Sequence, residues 1–229
     1  MAGDQPVNFE SYPDREILAM DLADKLASEL RSALAQKDVV SLAVAGGTTP
    51  GPVFDVLCDL RLDWDRVRVL PTDERWVPED DPRSNARLIR ERLLTGRAAA
   101  AVQVPLYAEG HDPEDAVSEL ESQIAPLLPL DIVVLGMGSD MHTASLFPGT
   151  PGLAEALAAD APILAVLRPE SQPETRISLT ARVLQGAMRT HLIITGADKR
   201  AALDRARDLP LEEAPVRAIL NETTIHWAE

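Results

Sequence analysis

LDIVVLGMGSDMHTASLFPG, residues 130–149, carries the main clue to the architecture. Its first part, through Leu135, is short, rich in β-branched residues and nearly all apolar, and it breaks at Gly136 and Gly138. A run of that kind predicts a strand covered on both faces, as in a parallel sheet. The second part is polar, and it places Asp140 two residues before His142 in the loop beyond the strand end.

The same alternation extends outward in both directions. Residues 14–36 place Ile17, Leu18, Leu22, Leu26, Leu30 and Leu34 at spacings of three and four, which predicts an amphipathic helix. VVSLAVA (39–45) predicts a buried strand, GGTTPG a turn, and PVFDVLCDL a helix. VRVLPT (67–72) predicts a strand leading into a polar loop, DERWVPEDDPRSN, followed by a helix over 84–94 with Ser84 as its cap. VQVPLY (102–107) reads as a strand and residues 113–128 as a helix. PILAVL (162–167), RISLT (176–180) and THLIITG (190–196) read as strands, with a helix from Ala197 to about Leu209 and TTIHWAE as an edge strand. Strands alternating with helices predict an α/β fold: a largely parallel sheet with helices on both faces, in a single domain over residues 1–229.

The bulk numbers exclude several functions. A formal net charge of −15 repels nucleic acid and anionic membranes. No apolar stretch is long enough to span a bilayer. The start, MAGDQPVNFESYPDRE, carries acids and prolines where a signal peptide has basic residues. The lone cysteine, Cys58, sits at helical spacing among Val53, Val56 and Leu57, so a buried structural thiol and a reducing cytoplasm are expected.

Three loops follow predicted strand ends, where ligands collect in such sheets. In AGGTTPG, the Gly46, Gly47, Thr48 and Thr49 amides at a helix start form either an anion cradle or simply a tight turn. In TDERWVP, Arg75 is either a two-pronged phosphate grip or part of a surface ion-pair loop. In GMGSDMHTAS, Met141 replaces the third glycine of a dinucleotide-binding turn. Asp140 and His142 offer two metal ligands with no evident third, so no metal is expected. An aspartate beside an imidazole orients the ring and leaves its other nitrogen to take a proton from water, which makes His142 the general-base candidate. His111, His191 and His226 lack such surroundings. Ser145 would complete a triad only in composition; it stands outside a GxSxG elbow, and a packing or capping role is expected.

Taken together, GGTTP after a strand, TDERWVPxxxxxSN, GMGxDxHTASLFPG, RISLT and ITGADK resemble the 6-phosphogluconolactonase family. The pieces occupy residues 45–200 in the family's order. HTASLFPG is the most specific, because the related glucosamine-6-phosphate deaminases carry an HIAFNEPG-like continuation where this chain has Thr143, Ala144, Ser145, Leu146 and Phe147. The resemblance implies a Rossmann-like fold related to sugar-phosphate isomerases. It also implies hydrolysis of 6-phospho-D-glucono-1,5-lactone to 6-phosphogluconate with neither metal nor organic cofactor. His142 would then be the base, Asp140 its partner and Arg75 a phosphate ligand. A backbone N–H in the Gly136–Gly138 loop is the expected oxyanion donor.

Two departures stand out. The family's DGH reads Asp140-Met141-His142, so position 141 is expected to take a conformation that Met tolerates. The phosphate-binding lysine usual before the RISLT-like strand is missing, and Arg168, then Arg176, are the substitutes. The expected partner is a phosphorylated sugar lactone, handled by a monomer or weak homodimer. An aldose–ketose isomerase or deaminase, and a non-catalytic sugar-phosphate sensor, are the competing readings.

Overall fold

The computed structural model describes residues 8–229; the first seven residues of the N-terminal stretch read above lie outside them. In chain order the elements are β1 (Asn8–Ser11), α1 (Arg15–Leu34), β2 (Val40–Val44), α2 (Gly51–Leu57), β3 (Val67–Pro71), β4 (Asp73–Arg75), α3 (Asn85–Arg92), β5 (Val102–Gln103), α4 (Pro113–Ile124), β6 (Ile132–Gly136), α5 (Leu153–Leu157), β7 (Leu164–Leu167), β8 (Arg176–Leu179), α6 (Ala181–Gln185), β9 (Arg189–Thr195), α7 (Ala197–Ala206) and β10 (Thr223–Ala228).

Seven strands form one sheet in the order β1-β10-β9-β6-β2-β3-β5, every pair parallel. The chain winds outward from β2 through β3 to β5, returns to β6, and winds the other way through β9 to β10. β2 and β6 are therefore neighbours whose carboxyl-end loops diverge, which opens a crevice at that switch point. Alternate strand residues bury into opposite faces. Val40, Leu42 and Val44 pack with α1, α2 and α3, while Ala43, Val133 and Leu135 pack with α4, α6 and α7.

Local chemistry explains the elements. Asp14 caps α1 by accepting from Ile17 N at 2.8 Å. Leu18, Leu22, Leu26, Leu30 and Leu34 are buried on one stripe of that helix. Ile17, expected on the apolar face, is 44% exposed, because the spacing of four from Leu18 defines the stripe and leaves its neighbour outside. Asp131, inside an apolar run, is stabilised by Lys37 at 2.5 Å and by Ser41 N at 2.9 Å, which ties β6 to β2. Cys58 is buried. His191 and His226 are buried on adjacent strands and bond to each other at 3.0 Å, with Glu29 and Tyr12 at the ends of the chain of contacts. Among the described residues no helix is long and apolar enough to cross a membrane.

Four strand expectations change. PILAVL and RISLT contribute β7 and β8, which leave the main sheet and pair antiparallel in a second one, β4-β8-β7. The third member, β4, was expected to be loop. VQVPLY shrinks to two strand residues. β10 is not the edge, since the short NFES segment pairs outside it as β1.

Candidate active site

A concavity of about 320 Å³ opens at the crevice between β2 and β6. Gly46, Gly47, Thr48 and Thr49 line it from the loop after β2, Arg75 from β4, Arg176 from β8, and His142 from the loop after β6. Glycine is required at two of these places. Gly47 has φ +84, which side chains resist. A Cβ on Gly46 would lie 1.9 Å from Asn85 Oδ1, so a side chain there would displace the buried Asn85 amide, which donates to Asp73 O at 2.7 Å.

The loop after β6 is tightly tied. Thr143 Oγ1 donates to Gly136 O at 2.9 Å, and Gly138 N donates to His142 O at 3.0 Å. The Gly138 N–H, one of the expected oxyanion donors, is thus already engaged. His142 Nδ1 lies 2.5 Å from Asp140 Oδ1, and both groups sit over Gly138, where a Cβ would come within 2.2 Å of the ring. The imidazole stacks on Phe147 with centroids 4.1 Å apart. Burial tends to raise the Asp140 pKa, but the hydrogen bond and charge of His142 outweigh it, and the carboxyl is held below its ordinary value. An ionised Asp140 accepts a hydrogen bond from Nδ1–H and leaves Nε2 as the basic nitrogen.

Position 141 departs from expectation. Met141 takes φ +66, the left-handed region that Met disfavours, and Ala144 takes φ +48. Bonds on both sides hold Met141 there: its N donates to Gly138 O, and Val216 N donates to its carbonyl, each at 3.0 Å. Ser145 is fully buried, and its hydroxyl donates to Asp73 Oδ2 at 2.6 Å, tying the loop to β4. The loop does not turn helically there.

The small antiparallel sheet assembles the cationic wall. Its register sets Arg75 directly opposite Arg176. Like charges facing across a strand pair repel. Burial and the Arg75 charge accordingly push the Arg176 pKa down. Arg176 is 4% exposed, with Asp73 at 3.9 Å and a hydrogen bond to Gln172 at 2.8 Å. The Nε atoms of both arginines are buried without a protein partner. Two adjacent guanidiniums with unused donors suit a doubly charged anion.

Arg168 is not part of this wall. It follows β7, beyond the register with β8, and its side chain pairs with Glu114 on the first turn of α4 at 2.6 Å. Lys199, at the start of α7, lines the concavity instead. Burial pushes its ammonium pKa down, opposed by the Asp140 carboxylate. ITGADK carried the same signal as the other three loops, a helix start after a buried strand. Asn85, Asp73 and Phe147, which belong to the sequence motifs but were not among the candidate site residues, also line the site. Among the described residues no group of three or more His, Cys, Asp or Glu side chains converges as metal ligands.

Glu74 anchors the wall from behind. Fully buried, it accepts from Arg75 N and Asn85 N through Oε1, at 2.8 and 2.7 Å, and from Ala86 N and Ser84 Oγ through Oε2, at 2.7 and 3.1 Å. It joins β4 to the amino end of α3, where a carboxylate is favoured. Glu74→Ala is expected to lower the unfolding free energy by about 2 kcal/mol, since backbone donors lose their acceptor. Urea denaturation with an unchanged m-value checks this, and a loss under about 0.5 kcal/mol would contradict it.

The sequence matches the family described as glucosamine-6-phosphate isomerases/6-phosphogluconolactonase over residues 13–227. A 6-phosphogluconolactonase of Mesorhizobium japonicum is 44% identical, covering 96% of this chain and 95% of that protein. One from Caulobacter vibrioides is 39% identical, with 98% of each covered. The crystal structure of a 6-phosphogluconolactonase from Shewanella baltica superposes with a TM-score of 0.94 at 32% identity, covering 98% of this chain and 99% of that one.

Proposed function

The chain belongs to the glucosamine-6-phosphate isomerase/6-phosphogluconolactonase family, and from that premise we propose that His142 activates a water to open the ring of a phosphorylated lactone. The reaction is hydrolysis of 6-phospho-D-glucono-1,5-lactone to 6-phospho-D-gluconate, in the oxidative pentose phosphate pathway. The branch is favoured by the close relatives, which are 6-phosphogluconolactonases.

The observation that carries the mechanism is the placement of His142, backed by Asp140, and the facing Arg75–Arg176 pair in one concavity. A phosphate of about −1.5 to −2 charges at neutral pH needs a local positive wall in a chain of net charge −15. Arg75 and Arg176 supply it, with the Gly46–Thr49 loop, and Lys199 adds a third cation. Holding the phosphate orients the lactone carbonyl toward His142, so remote binding energy serves the chemical step. His142 Nε2 takes a proton from water, whose oxygen attacks C1. The imidazolium, steadied by Asp140, then donates that proton to the departing ring oxygen. We place the reaction in the cytoplasm, carried out by a monomer or weak homodimer.

Freshly prepared lactone, followed by acid release and corrected for spontaneous opening, is expected to be hydrolysed at a rate proportional to protein concentration. Glucosamine 6-phosphate is expected to release no ammonia. Ammonia without lactone turnover would move the chain to the deaminase branch.

A further inference from the structure

We propose that a hollow at the opposite end of the sheet is a second anion-binding site, which takes a small molecule carrying a polyphosphate chain. The hollow is lined by Arg31, Arg61, Arg66 and Arg97 and measures about 690 Å³, larger than the catalytic concavity. It sits where α1 runs toward β2 and where the chain enters β3, at the amino ends of those strands. The catalytic loops leave from the carboxyl ends.

Arg66 is part of the wall. It donates to Leu34 O at 3.0 Å, Lys37 O at 2.7 Å and Asp38 O at 2.9 Å, closing the end of α1. Its remaining nitrogen reaches Asp63 at 3.3 Å, the one carboxylate lining the hollow. The other three arginines are exposed. Arg31 spends only Nε, on Arg61 O at 3.3 Å. Arg61 and Arg97 have no side-chain hydrogen bond or carboxylate partner among the described residues. By contrast Arg83, Arg87, Arg90 and Arg92 all pair with carboxylates. In a chain with 37 acidic and 22 basic residues, unpaired guanidiniums gathered in one hollow stand out against the surrounding field.

The ligand class follows from the donors. Three forked guanidiniums, from α1, the turn after α2 and the turn before β5, offer more donors around a wider space than a single phosphate group can use. A chain of two or more phosphates spans them. Leu34, Ala35 and Leu62 add an apolar surface for the uncharged part of the molecule.

The test is calorimetric titration of the full chain with ADP and, separately, with inorganic pyrophosphate, at low and high salt. Variants are Arg61→Ala/Arg97→Ala, Arg75→Ala in the catalytic concavity, and a charge-matched control, Arg205→Ala/Arg207→Ala, on the far end of α7. Saturable binding is expected in the wild type, weakened about tenfold or more in Arg61→Ala/Arg97→Ala and by high salt, yet kept in the other two variants. Lactonase activity of Arg61→Ala/Arg97→Ala is expected to match the wild type. No saturable binding of either probe, loss of binding in Arg75→Ala, or equal loss in the charge-matched control would overturn the site.

Discussion

Replacing His142 with alanine is expected to lower kcat about 10²- to 10⁴-fold while KM changes only a few-fold, the loss typical of removing a positioned general base. The split follows from geometry. His142 and Asp140 form one unit over Gly138, whereas the proposed phosphate grip is built from the β4–β8 pair, a separate sheet. Truncating the imidazole leaves Arg75, Arg176 and the Gly46–Thr49 loop in place, so ground-state binding persists. The measurement needs early initial rates, since the lactone opens spontaneously. A His142→Ala enzyme with wild-type turnover would remove the proposed base. A loss seen only in KM would reassign His142 to substrate binding.

Arg176→Met is expected to reduce kcat/KM about 100-fold, mostly through KM, the scale of one lost charge-assisted contact to a phosphate. The same change is expected to leave the thermal midpoint of the ligand-free protein unchanged or higher. The sign is set by electrostatics. The Arg176 pKa is depressed by burial and by Arg75, so the folded state holds that proton less firmly than the unfolded chain does. The ionised side chain therefore costs stability wherever it stays ionised in both states. Met fills the volume without the charge. Sites that oppose like charges in wait for a ligand trade stability for function. A calorimetric scan beside steady-state kinetics separates the outcomes. A midpoint several degrees lower would mean that the contacts with Asp73 and Gln172, not the repulsion, dominate. A kcat/KM within about threefold of wild type would remove Arg176 from the phosphate grip.

Most of the helices and buried strands were legible because their signals are local. A leucine at every fourth residue places α1 on the sheet, and an apolar β-branched run ending at Gly136 marks β6. Ser84 is the cap expected of it, accepting from Arg87 N at 3.2 Å. β4 was not legible. Asp, Glu and Arg in succession oppose strand formation, and the segment is extended because the free edge of β8 supplies its hydrogen-bond partners. β1 was missed for a similar reason, being four residues whose pairing partner lies at the other end of the chain.

The residue order alone settled the alternating α/β architecture, the loops that line the concavity, and the pairing of Asp140 with His142 two positions away. These depend on contacts within a few residues, which the sequence states directly. Tertiary structure decided which cations line the concavity. Arg75 and Arg176 are about a hundred residues apart in sequence and directly opposed in register. Arg168, the better candidate by position along the chain, is drawn off by Glu114, and Lys199 arrives from the far side of β9. Register between distant strands is set by the packing of the whole sheet, so no local pattern encodes it.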